Sequence, residues 1–193
     1  MTPVTILFLW KGDDSLPADK DDELLEVFDS NGLSTGAFLP RGEVHEKKLF
    51  HQEVSLCVIN EKDEILLEKR NKNKKSNPSK WGLVGGHVTK GETLEEAIKK
   101  EAFEEVGIYF DSVTLFDQRK NQKSRSFKNR FYTFTDKKIE EYNVQKEEVD
   151  EVIYMNFYDF LELIKKKENK TVYNYNKDGE IFLKLKEIIE RRK

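Results

Sequence analysis

The chain has 193 residues, a length that suits one domain with an appendage better than two full domains. Its 34 Lys and Arg against 37 Asp and Glu leave a net charge of −3, which excludes a surface built as a whole to grip nucleic acid. Apolar residues make up only 37%, but 13 Phe, 7 Tyr and 2 Trp among them bury large areas each, so wholesale disorder is excluded as well.

In chain order, the apolar run at residues 4–10 is seven residues long. It lacks a basic stretch before it and a small-residue cleavage site after it, so it predicts a short strand and not a signal peptide or a membrane span. Residues 11–23 are acidic and carry Gly12 and Pro17, the composition of a loop. Residues 25–28, the turn Ser30-Asn31-Gly32 and a second run to Leu39 predict a hairpin. Strands follow at 53–59 and 65–67. A polar loop at 71–80 then leads into a strand at 81–84, ended by Gly85-Gly86. Residues 93–106 read as a helix, opened by the capping box Thr93-Leu94-Glu95-Glu96 and stopped by Gly107. Strands at 113–116, 131–134 and 152–156 and helices at 158–167 and 180–192 complete the chain. The irregular mixture predicts an α/β or α+β fold with a mixed sheet. The lone Cys57 forms neither an internal disulfide nor a zinc framework, which points to a reducing compartment, with the cytoplasm as the expected location.

Chemistry concentrates in residues 85–108. On a helical wheel at about 100° per residue, Glu101 and Glu105 fall within about 40° of each other, inside the apolar arc of Leu94, Ala97, Ile98 and Ala102. Glu104 lies beside them, and the i, i+3, i+4 spacing brings all three carboxylates together within one turn. Desolvated like charges cost several kcal/mol each unless something positive meets them, and a hard divalent cation with oxygen ligands is the simplest remedy. Glycines just before the helix allow close backbone approach, where a carbonyl can join the metal shell.

This stretch resembles the signature of the Nudix hydrolases. Gly86, Glu92, Lys100, Glu101, Ala102, Glu104, Glu105, Gly107 and Ile108 stand at the signature spacing over 23 residues. A looser likeness (Leu66-Leu67-Glu68-Lys69-Arg70, Trp81, Gly85-Gly86) extends over about residues 50–160. Lys100 replaces the usual Arg, keeping the charge and losing the planar fork. The resemblance implies an α/β/α sandwich around a mixed sheet, here with an N-terminal β-hairpin extension. It divides the chain into residues 1–22 and a single domain at 23–193, of which 23–48 are the hairpin extension, 50–160 the core and 161–193 C-terminal helices. The implied activity is hydrolysis of a diphosphate linkage. The implied cofactor is Mg²⁺ or Mn²⁺ on Glu101, Glu104, Glu105 and the Gly85 carbonyl. Glu101, Glu104 or a later acid would activate water.

Among later acids, Glu147, Glu148 and Glu151 are candidates, with Glu148 preferred. Arg70, His51, His87 and Lys100 are expected to contact substrate. Residues 119–130 hold six basic side chains and no acid; with 69–80 they read first as two solvated loops, the alternative being a cationic rim for a polyanionic substrate. Phe127, Phe131, Tyr132, Tyr173 and Tyr175 are candidates to stack on a base, although most are expected to be core or interface aromatics. Within the superfamily the chain looks most like the branch related to type 1 isopentenyl-diphosphate isomerase, through Asp29, Gly32, Thr35-Gly36, Arg41-Gly42-Glu43, His51 and Gly86-His87. That resemblance implies metal-binding histidines at His51 and His87, whereas Gly85 stands where the isomerase has its catalytic cysteine. Isomerisation and non-catalytic nucleotide sensing are therefore the alternatives. The partner is a small-molecule diphosphate; no membrane or nucleic-acid partner is expected, and the hairpin offers an edge for a homodimer.

Overall fold

A computed structural model describes residues 20–166, 171–173, 175 and 179–192. The expected strand at 4–10 and most of the acidic loop lie outside them.

Strands β1 (Leu24–Phe28) and β2 (Ser34–Pro40) form a separate antiparallel hairpin, and a short helix α1 (Arg41–Glu46) follows it. Asp29 makes the turn, its Oδ1 accepting from the N–H groups of Asn31 at 2.7 Å and Leu33 at 2.9 Å. Leu25, Val27 and Val44 close this unit into a small core of its own.

The main sheet is built on β3 (His51–Asn60), which pairs antiparallel with β4 (Glu64–Arg70) and β6 (Val84–His87), and parallel with β8 (Ser126–Thr135). Strands β5 (Trp81–Gly82) and β9 (Val149–Asn156) flank β4, and β7 (Thr114–Asn121) flanks β8. Alternate residues of β3 feed two different cores. Val54, Leu56 and Val58 pack with Ala97, Ile98, Ala102 and Val106 of helix α2 (Leu94–Val106). Cys57 and Ile59 pack on the other face with Phe157, Phe160, Phe182 and Leu185 of helices α3 (Phe157–Lys165) and α4 (Gly179–Glu190). Helices cover both faces of a mixed sheet, so the α/β/α sandwich with its hairpin extension is the fold.

The termini of α2 are those its sequence dictates. Thr93 Oγ1 accepts from Glu96 N–H at 3.2 Å, and Glu96 Oε2 accepts from Thr93 N–H at 2.8 Å. Gly107 ends the helix at φ 72°.

Three expectations change. The run at 81–84 splits at Leu83, because Trp81 and Gly82 pair with β4 while Val84 onward pairs with β3. Gly85 and Gly86 lie inside β6 and do not terminate it. The basic segment at 119–130 is the two arms of the β7–β8 hairpin and its turn, not a solvated loop. Polar side chains carry no apolar alternation to reveal those arms. Among the described residues, no helix is long and apolar enough to cross a membrane.

Candidate active site

Close backbone approach under α2 sets the site. A Cβ on Gly85 would stand 2.3 Å from the Val54 carbonyl oxygen, and one on Gly86 would stand 2.3 Å from Glu101 Oε1. With both positions bare, α2 settles onto β6, and Gly85 N–H donates to Glu105 Oε2 at 2.9 Å. Glu105 is 2% exposed, although it is an acid.

Glu101, Glu104, Glu105 and Glu148 line one cleft of about 670 Å³, together with Gly85, Arg70, His51 and His87. Burial, and then the charge of Glu105, hold the Glu101 carboxyl well above its usual range. Burial, and then Glu68 and Glu148, do the same for Glu105. Glu148 meets the buried ammonium of Lys74 at 2.9 Å. Glu151 instead stands at the exposed β9 edge near Lys69, and neither it nor Glu147 lines the cleft.

The cluster already draws a cation. Lys20 Nζ sits 3.0 Å from Glu104 Oε2 and 3.9 Å from Glu23 Oε1, and these contacts raise its pKa against the opposing effect of burial. Carboxylates that are costly to ionise alone, a carbonyl-bearing strand pressed against them and an ammonium already recruited make a donor set that fits a hard divalent ion.

Arg70 reaches the cleft from the end of β4, with Nε donating to the Ser76 carbonyl at 2.9 Å. Lys100, the fourth expected substrate contact, does not line the cleft. Its ammonium pairs with Glu92 at 2.7 Å and approaches Thr89 Oγ1 at 3.4 Å, tying the signature loop to the helix through a single point. Of the candidate stacking rings, Tyr173 and Tyr175 line the cleft. Phe127 packs on Phe28 and Phe50, Phe131 is buried, and Tyr132 packs on Phe116 and Phe134.

Sequence patterns alone do not reveal four further groups in or near the cleft. Glu68, 3% exposed on β4, lies beside Glu105; burial pushes its carboxyl up to about 8, and Oε2 has no hydrogen-bond partner. Glu68 directly follows the apolar run 65–67 and is continuous with Lys69 and Arg70, so in the sequence it reads as the polar end of a strand. Lys20 is the second. Glu53 is the third: burial acts to raise its pKa, but the His51 ring and the Lys128 ammonium outweigh burial and bring it to about 2. His45 is the fourth, and it completes a cluster from the chain's three histidines.

The ligand nitrogens of His45, His51 and His87 lie within 4.8 Å of one another. His45 Nε2 and His87 Nε2 are 3.1 Å apart, so one donates and the other accepts. His51 Nδ1 faces the Leu49 carbonyl at 3.1 Å, and its Nε2 lies 3.5 Å from Glu53 Oε1. Burial lowers the pKa of His45, helped by His51 and Arg41, and that of His87, helped by Arg41, which favours the neutral rings a metal requires.

Residues 49–175 match the NUDIX domain family. An uncharacterised Nudix hydrolase of Listeria monocytogenes, lmo0368, is 30% identical over 125 residues, covering 64% of this chain and 74% of that protein. Nudix hydrolase 3 of Arabidopsis thaliana is 29% identical over 187 residues, 89% of this chain but only 24% of the plant protein. Proteins named isopentenyl-diphosphate isomerase align over about half the chain, 47% for that of Corynebacterium glutamicum. Among solved structures, DR0079 of Deinococcus radiodurans superposes with a TM-score of 0.67 at 19% identity, covering 84% of this chain and 98% of that one, which shows a shared fold.

Proposed function

The chain belongs to the NUDIX domain family, and from that premise we propose that it is a metal-dependent hydrolase cleaving the diphosphate linkage of a nucleoside diphosphate derivative or related organic diphosphate. The observation that carries this reading is the convergence of Glu101, Glu104, Glu105 and Glu148 on one cleft, with Gly85 beneath them and Arg70 beside them.

Glu101, Glu104, Glu105 and the Gly85 carbonyl would hold Mg²⁺ or Mn²⁺. When bound, that ion neutralises charge on the phosphates and acidifies water in its shell. The protein's own groups do the rest. Arg70, held by Ser76, fixes a phosphate oxygen. A water oxygen bonds to one phosphorus, the bridging P–O bond breaks, and the released proton passes to a carboxylate across the cleft. Glu148 serves best, because Lys74 holds it facing the cluster. Lys100 acts as a positioning residue through Glu92.

The test is a panel of nucleoside diphosphate derivatives, dinucleotides and organic diphosphates, incubated with Mg²⁺ or Mn²⁺ and assayed for phosphate-ester products. Turnover of at least one, falling at least about a hundredfold in Glu104→Gln, supports the reading. No turnover of any compound, or turnover indifferent to Glu104, removes it.

The histidine cluster favours a second reading, an isomerase-like protein whose metal sits on His45, His51 and His87. Against it, Gly85 supplies no thiol, and Cys57 is fully buried, its thiol pushed up to about 12 by desolvation. Deuterium uptake into isopentenyl diphosphate in heavy water, abolished by His45→Ala, would establish this reading in place of the hydrolase.

A further inference from the structure

Two of the cleft carboxylates hold an ammonium supplied by the chain itself. Glu148 meets Lys74 at 2.9 Å, and Glu104 meets Lys20 at 3.0 Å. The two pairs differ in burial. The Lys74 side chain is 2% exposed, so its charge is shut in with Glu148. The Lys20 side chain is 34% exposed and that of Glu104 28%, so this pair stands at the rim, where water can take either partner.

The backbone that delivers Lys20 is fastened on both sides. Glu23 N–H donates to the Lys20 carbonyl at 3.2 Å, closing a turn over residues 20–23. The Asp21 carbonyl accepts from Gly42 N–H at 2.9 Å and the Glu23 carbonyl from Arg41 N–H at 2.7 Å, which fixes the turn to the start of α1. The next carbonyl, that of Leu24, accepts from Lys90 N–H in the signature loop at 2.8 Å. Side chains reinforce the hold: Lys75 Nζ meets Asp21 Oδ2 at 2.5 Å, and Arg41 Nη1 stands 3.5 Å from Glu23 Oε2. With the turn held, movement is left to the flexible Lys20 side chain. It has two carboxylates in reach, Glu104 at 3.0 Å and Glu23 at 3.9 Å. Glu104 belongs to the α2 cluster, and Glu23 does not.

We propose that Lys20 is an internal competitor for the divalent ion: it holds Glu104 until the ion takes that carboxylate, and then retreats to Glu23. This rests on the metal reading of the α2 glutamates and adds a regulation of that same site. An ion on Glu104 would share one carboxylate with an ammonium, and two cations so close repel strongly. The ion must therefore displace Lys20, and the displacement sets the concentration of ion at which the site loads. The contact is autoinhibitory, and the cofactor itself relieves it.

The test is calorimetric titration of the protein with Mg²⁺. Lys20→Met keeps most of the side chain's length and removes its charge, and it should bind Mg²⁺ at least about fivefold more tightly than wild type. Lys20→Arg should stay within about twofold of wild type. So should Lys123→Met, which takes the same charge from the lining of the same cleft, at the turn between β7 and β8. Thermal melts check that each variant is folded. An affinity in folded Lys20→Met that only matches wild type, or falls below it, overturns the latch. An equal gain in Lys123→Met also overturns it, because that marks a general effect of cleft charge. Mg²⁺ binding to neither wild type nor Lys20→Met removes the latch together with the metal. If Mg²⁺ binds wild type, is lost in Glu101→Gln/Glu105→Gln and is indifferent to Lys20, the metal stands and the latch falls. If Lys20→Met tightens Mg²⁺ as stated but no diphosphate is hydrolysed, the latch stands and the hydrolase reading falls.

Discussion

At the scale of single residues, Gly85 and Gly86 are adjacent and make opposite demands. A methyl group on Gly85 meets backbone, the Val54 carbonyl oxygen at 2.3 Å and Ser55 Cα at 2.8 Å, so β3 and β6 would have to separate. A methyl group on Gly86 meets only the tip of the Glu101 side chain, which can swing aside. Gly85→Ala should therefore cost about 1–3 kcal/mol or more of stability, as overpacking against immovable atoms does. Gly86→Ala should stay within about 1 kcal/mol of wild type yet lose at least tenfold in kcat, because the displaced group is a proposed ligand. Urea unfolding and kinetics on the same two proteins check this; equal stability losses in both would contradict the contact geometry. Lys100 makes the same point about side-chain chemistry. Its ammonium satisfies Glu92 from one point, so the loop between them is joined by charge without the two-pronged grip an arginine would give.

At the scale of elements, α2 carries its instructions locally. Thr93 caps it, Glu96 returns the hydrogen bond, and Gly107 stops it in left-handed backbone. Thr93→Ala should cost about 1 kcal/mol, within the range for lost caps, and a thermal melt that shifts by less than a degree would show the cap to be idle. That locality is why α2 and its three glutamates are legible in the sequence: 3.6-residue periodicity and capping chemistry need no knowledge of distant chain. The histidine cluster is half legible for the opposite reason. His87 meets β3 only through the β3–β6 register, and His45 arrives on α1, a helix too short to leave a periodic signature. Glu68 is hidden because β4 is buried around it, so no alternation of apolar and polar residues marks its inward face. The β7–β8 arms extend beyond their apolar runs through Arg119, Lys120, Lys128 and Arg130, whose polar side chains leave no apolar alternation to read; of these, Lys128 and Arg130 on β8 line the cleft.

At the scale of the whole molecule, the cleft stores unfavourable charge that stability measurements can read. The Glu68 carboxyl is pushed up to about 8, and Glu101 and Glu105 are also raised, each by burial first and by neighbouring acids next. Unfolded carboxyls titrate near 4.3. Between about pH 4.5 and 8 the folded chain therefore keeps protons that the unfolded chain has released, so the unfolding free energy falls as pH rises through this window. Below it both states are protonated and the penalty vanishes. A divalent cation held by the folded, deprotonated cluster, as proposed, has no comparable unfolded site, so it would stabilise by mass action, by about 2.7 kcal/mol at a hundredfold excess over Kd. Its apparent affinity must rise as those protons leave. Mg²⁺ should thus raise Tm more at pH 8 than at pH 5.5, and the metal-free protein should melt lower at pH 8. Mg²⁺ is the useful probe because it prefers carboxylate and carbonyl oxygen, which separates this cluster from the imidazoles of His45, His51 and His87. Scanning calorimetry at the two pH values, with EDTA and with Mg²⁺, measures both differences. A Mg²⁺-induced shift that is the same at pH 5.5 and pH 8, or one that survives Glu101→Gln/Glu105→Gln, would mean that the ion is held elsewhere and that the buried glutamates bear their charge without it.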